Sequence, residues 1–148
     1  MQKFARLGLP AIMLAMSTTP AYGSDELDDL IRPDEASFAI AQKAIAPVID
    51  KLIAGDSRGA FETAFARSPM FERIKSQLPQ LSAQLAVAYE SYGPIDHCEA
   101  VQRGSLGSMH IRYVYLCQHD NFLTRWEFRV SETKQGWTIS NVSFSDTF

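Results

Sequence analysis

Two cysteines and three histidines are the side chains in this 148-residue chain best suited to redox, metal or nucleophilic chemistry. Cys98 and Cys117 stand in two alternating stretches, Ile95 to Arg103 and Met109 to Gln118, that read as neighbouring strands. A two-residue turn at Gly107-Ser108 sets Cys98 opposite Cys117, Ala100 opposite Tyr115 and Gln102 opposite Tyr113. Opposed residues of an antiparallel pair have Cα atoms about 4.5 or 5.5 Å apart, within reach of a disulfide. The strict two-residue turn puts the cysteines at the hydrogen-bonded type of pair, the less favourable one; a longer turn through Gly104 to Ser108 changes that parity. The bridge is expected to stabilise the fold by about 3 kcal/mol. The same register places Asp96 opposite His119, beside the cysteines, so that thiolates, imidazole and carboxylate would form a four-ligand zinc set. That spacing matches no ligand motif, and two cysteines outside the cytosol pair with each other. The expectation is therefore a Cys98–Cys117 disulfide, no metal, and an ordinary cross-strand Asp96–His119 pair.

Other chemistry finds less support. His97, His110 and His119 lie on strands or turns without an evident Ser or Asp partner for a nucleophilic triad. Gly104-Ser105-Leu106-Gly107 joins two strands, whereas a phosphate-binding glycine loop joins a strand to a helix. No catalytic residue and no cofactor are assigned. A second turn at Asp120-Asn121 sets Tyr115 opposite Trp126, Tyr113 opposite Phe128 and Ile111 opposite Val130. Two independent turns thus collect the aromatic side chains on one sheet face, as a buried face requires. Such a face is a core or the wall of an apolar pocket. The candidate pocket comprises Gln102, Tyr113, Tyr115, Trp126 and Phe128, with Tyr89 and Tyr92 at its mouth. On the opposite face the two registers align Arg103, Arg112 and Arg129. Like charges set side by side destabilise a sheet. An anionic ligand, an acidic partner or the nearby Glu99, Glu127 and Glu132 would compensate them.

These strands form the second half of the chain, with a third at Leu123 to Ser131 and a fourth at Trp137 to Phe144. The first half is helical. Phe38, Ala41, Ile45, Val48, Ile49 and Leu52 recur every three or four residues, between Pro33 and Gly55. Asp56 or Ser57 then caps a helix bearing Phe61, Ala64 and Phe65; Met70, Phe71 and Ile74 follow; Leu81, Leu85, Ala88 and Tyr89 complete the pattern before Gly93-Pro94. Helices followed by a strand meander define an α+β architecture. Residues 1–23 read as a secretory signal, with Lys3 and Arg6, an apolar run over Leu7 to Met16 and small residues up to Gly23. That run is too short for a membrane anchor, which needs about 20 apolar residues. Residues 24–33 are expected to form an acidic, flexible N-terminus, and 34–148 one domain. Loss of Lys3 and Arg6 takes 14 basic residues to 12 against 17 acidic, a net charge of -5. With a pI near 5.6 and no basic run, nucleic acid is excluded as a partner.

Tyr92-Gly93-Pro94, Arg112-Tyr113-Val114-Tyr115-Leu116, Arg125-Trp126-Glu127-Phe128 and the closing Gly136 to Phe144 give the chain its likeness to a known fold. Over residues 34 to 148 it resembles the nuclear transport factor two-like superfamily. The resemblance implies helices across the concave face of a curved four-stranded antiparallel sheet, a cone with a pocket. That superfamily holds isomerases, dehydratases, transport factors and small exported domains, so the fold does not select a function. Its sheets often pair into homodimers through the outer face. The expected function is an exported, periplasmic or secreted binding domain, holding a small apolar ligand or recognising an envelope protein. An isomerase or hydro-lyase within the cone and a homodimeric interaction module are the alternatives.

Overall fold

The computed structural model describes residues 35–147. The expected signal segment, 1–23, and acidic stretch, 24–33, lie outside the described residues. Four helices come first: α1 (Glu35–Ile53), α2 (Ser57–Phe65), α3 (Phe71–Ile74) and α4 (Leu78–Tyr92). The apolar stripe of α1 is buried through Ala41, Ile45, Val48, Ile49 and Leu52, and the helix continues through Pro47. Gly55, at φ 74°, turns the chain out of it. The Asp56 carboxylate accepts from the Gly59 N–H at 2.8 Å and caps α2, because the first amides of a helix have no internal acceptor. Gly93 ends α4 at φ 85°, and a side chain there would collide with the Asp120 carboxylate, 2.6 Å from the position of a Cβ. A non-glycine residue at position 93 would meet both strain and collision.

The strands β1 (Ile95–Ser105), β2 (His110–His119), β3 (Leu123–Thr133) and β4 (Gly136–Ser145) form one antiparallel sheet in the order β1-β2-β3-β4. The α+β class and the order of helices and strands are as expected. Between β2 and β3 the register also holds along the whole ladder, with Tyr115 opposite Trp126 and Tyr113 opposite Phe128. Between β1 and β2 it holds only in part. Cys98 pairs with Cys117 and Ala100 with Tyr115, but the register shifts on either side of this segment. Asp96 is the extra residue of one shift and Val101 of the other. A bulged residue reverses the in-and-out alternation beyond it.

Three expectations are corrected by that geometry. Asp96 does not face His119, whose neighbour is Ile95. Gln102 pairs with Val114 rather than Tyr113, which moves it off the aromatic face. Arg103 pairs with Tyr113, which takes it out of the arginine row and onto the side of the helices. The connection between β1 and β2 is correspondingly longer than two residues, with the Leu106 N–H donating to the His110 carbonyl. Arg112 and Arg129 remain opposed on the outer face.

Candidate functional site

The aromatic quartet lies at the centre of the inner sheet face under α1, α2 and α4, and it is closed. Trp126 and Phe128 are 0% exposed, Tyr113 3% and Tyr115 7%. Their rings pack on one another and on Phe144, with Trp126 stacked 4.8 Å from Phe144 and Tyr115 edge-on to Phe128 at 5.7 Å. The polar atoms find partners within the protein. The Tyr113 hydroxyl donates to the Phe38 carbonyl at 3.1 Å, and the Tyr89 hydroxyl to the Leu52 carbonyl at 2.7 Å. Burial, reinforced by the charge of Asp56, pushes Tyr89 up to about 12. Burial also raises Tyr115, with Tyr113 adding to it. The inner face is therefore packed as a core, with its phenols bonded to backbone carbonyls at Tyr89 and Tyr113.

His119, buried at the end of β2, belongs to the same packing. Its Nδ1 lies 2.7 Å from the Gly93 carbonyl, which can only accept, so Nδ1 carries a proton. The indole N–H of Trp126 donates to Thr124 Oγ1 at 3.1 Å, and Thr124 Oγ1 lies 3.0 Å from His119 Nε2. With His119 Nε2 accepting from the Thr124 hydroxyl, all three side chains are satisfied. Asp96 stays outside, beside His97. The two cysteines are joined, with Cα atoms 4.0 Å apart. That spacing is near the shorter of the two antiparallel distances, as expected for a turn longer than two residues. Among the described residues no group of three or more His, Cys, Asp or Glu could hold a metal ion.

Among the openings at the margins of the helix layer, two reach the sheet. Tyr92 lines one of about 480 Å³, with Val87, Ala88, Thr124 and Phe144; its hydroxyl donates to Asp146, and that carboxylate raises the phenol. A larger groove of about 630 Å³ lies between α1, the end of α2 and the start of β4. Its apolar wall is Ile40, Ala44, Pro47, Ala64, Trp137 and Ile139, and its charged lining residues are Lys43 and Arg67. Sequence reasoning missed this groove, although a signal existed. Ile40, Ala44 and Pro47 form a second apolar stripe on α1, at spacings of four and three, beside the one that fills the core. Ile40 is 46% exposed, which a residue of the core stripe is not.

The outer sheet face gathers Arg112, Arg125 and Arg129 around Glu127. The glutamate accepts from Arg112 at 2.9 Å, from Arg125 at 3.2 Å and from Arg129 at 3.0 Å. The Arg112 guanidinium above all, with Arg129 behind it, holds the Glu127 carboxyl below its usual range against the opposing effect of burial. Glu127 supplies the compensation that the opposed arginines require, and three cations share one anion. Arg103, on the other side, is bidentate to Glu35 of α1 at 2.7 and 2.9 Å and sits 4.5 Å over the Phe38 ring.

No family model and no curated protein matches the chain. Among solved structures it is similar to a Campylobacter jejuni crystal structure provisionally described as an NTF2-like transpeptidase, at 11% identity and a TM-score of 0.46. The similarity covers 63% of this chain and 90% of that one.

Proposed function

We propose that this chain is an exported, non-catalytic binding domain that takes a small apolar molecule in the groove between α1, α2 and β4. The observation behind this reading is the groove itself: about 630 Å³, open, with an apolar wall of Ile40, Ala44, Pro47, Ala64, Trp137 and Ile139. Small-molecule sites are apolar concavities of this size with few polar groups. The aromatic quartet, offered by the sequence as the pocket wall, is not part of this groove. Export is supported by the basic, apolar and small-residue order of positions 1–23 and by a disulfide, which persists in oxidising compartments. No described helix is long and apolar enough to cross a membrane. An isomerase or hydro-lyase would need an ionisable base facing its substrate. Among the described residues the groove has only the exposed cations Lys43 and Arg67 as charged lining residues, so binding is the reading better supported.

Trp137 in the groove wall provides the test. A neutral apolar fluorophore such as N-phenyl-1-naphthylamine should take up excitation energy from Trp137 on binding. Ala44→Phe, which fills the groove from a partly buried position, should abolish the signal without lowering the melting temperature. Equal signal in that variant would move the ligand elsewhere.

The outer face favours a second reading, recognition of an acidic protein. Three arginines around Glu127 leave two positive charges on an otherwise acidic chain. A symmetric homodimer through this face would set one such cluster against its copy, so the face is better suited to a partner that brings carboxylates. Sedimentation should then show no self-association through this face at low salt.

A further inference from the structure

Lys43 and Arg67 add a chemical preference to the groove. Both are exposed, and among the described residues neither makes an ion pair, while Lys51, Arg58, Arg103, Arg112, Arg125 and Arg129 all do. Arg73, Lys75 and Lys134 are also without ion pairs, but none of them lines this groove, and the small cavity touched by Lys75 already holds Glu62. In a chain with 17 acidic residues against 14 basic, two cations without carboxylates at one apolar groove are unusual neighbours. Among the described residues no acidic side chain lines that groove.

From this arrangement we infer that the groove takes a single-chain amphiphile, its anionic head held by Lys43 and Arg67 and its tail lying on Ala44, Ala64, Trp137 and Ile139. The inference rests on the proposed apolar binding and narrows it to a class. A purely apolar molecule would leave the two cations as they are. An anionic head gives both a partner at the edge of an apolar surface, where charge-assisted hydrogen bonds are stronger than in bulk water. The shared chemistry is a carboxylate or a phosphate monoester on an alkyl chain.

Isothermal titration of the disulfide-bonded protein with decanoate, decyl phosphate and decanol separates the possibilities. Both anions, or one of them, should bind about tenfold or more tightly than decanol, the effect of one or two charged hydrogen bonds. The anion that binds tighter identifies the head. Lys43→Gln combined with Arg67→Gln should bring anion affinity down to that of decanol, with an unchanged thermal midpoint showing that the variant is folded. Decanoate, decyl phosphate and decanol binding alike, all lost in Ala44→Phe, would overturn the charged-head assignment while leaving apolar binding intact. Anion binding that survives the double substitution would overturn it as well. Failure of all three probes, together with failure of the neutral fluorophore, would instead remove the groove reading itself.

Discussion

The two ladders that flank β2 are built from similar residues and differ in one respect. The β2–β3 ladder runs from His110–Ser131 to Gln118–Leu123 without interruption, whereas β1–β2 is broken at Asp96 and again at Val101. Along the unbroken ladder each side chain lies on the face that simple alternation assigns to it. Along the broken one, Arg103 and Gln102 exchange faces. The exchange has a local benefit. Arg103, turned toward α1, finds Glu35 and the Phe38 ring, instead of adding a fourth guanidinium to the face of Arg112, Arg125 and Arg129. A bulge can thus relieve a charge conflict that strict pairing would create.

The largest test of this contrast lies on the unbroken ladder. Trp126→Ala removes a fully buried indole that stacks on Phe128 and Phe144, and leaves Thr124 without its donor. It should cost about 3–5 kcal/mol in a denaturant titration, a large share of the stability of a small domain. A loss below about 1 kcal/mol would mean that the quartet is loosely packed. Next comes the bridge on the broken ladder. Cys98→Ser with Cys117→Ser should lower stability by about 3 kcal/mol, and dithiothreitol should lower the wild type to the same level. Reduction without effect would show that the register around Cys98 is held by other means.

The fold and the core were legible because they depend on patterns that local sequence displays. Period changes at Gly93-Pro94, and the spacing of two between Tyr113 and Tyr115, and between Trp126 and Phe128, puts all four on one face once a short turn sets the register. The disulfide followed from the same pairing, within the segment of β1 that lies between its two irregularities. The rest depended on things that alternation does not encode. A bulge inserts one residue without any break in the apolar pattern, since Val101 is itself apolar yet 47% exposed. The groove arises where α1 and β4 meet, between segments almost one hundred positions apart. Its stripe on α1 reads in the sequence as an extension of the core face.

A smaller effect is expected from Glu127→Gln on the outer face. Arg112 and Arg129 depress the Glu127 carboxyl in the folded state, so the pairing stabilises fully above the unfolded value, near pH 4.5, and is lost as pH falls through the lower folded one. The substitution should cost about 1 kcal/mol at neutral pH, a charged hydrogen-bond cluster discounted for its solvent-screened arginines. It should also flatten the acid side of the stability profile, where wild type and variant converge. A constant difference down to the acid limb would mean that Glu127 acts through packing rather than charge.

The smallest effect discriminates most sharply between the two registers, because its sign differs. With unbroken pairing, Arg103 would sit beside Arg112 on the outer face, and Arg103→Glu would relieve repulsion and raise the melting temperature. With the bulge at Val101, the same substitution sets a carboxylate against Glu35 and removes the cation over Phe38, so the melting temperature should fall by a few degrees at most. Glu35→Arg in the same chain should restore it, by rebuilding the pair with its charges exchanged, and the rescue should weaken in high salt as an exposed ion pair does. A rise for Arg103→Glu alone would place the residue back in the arginine row. Rescue by Glu35→Arg ties the end of β1 to the first turn of α1, a contact that only the shifted register allows.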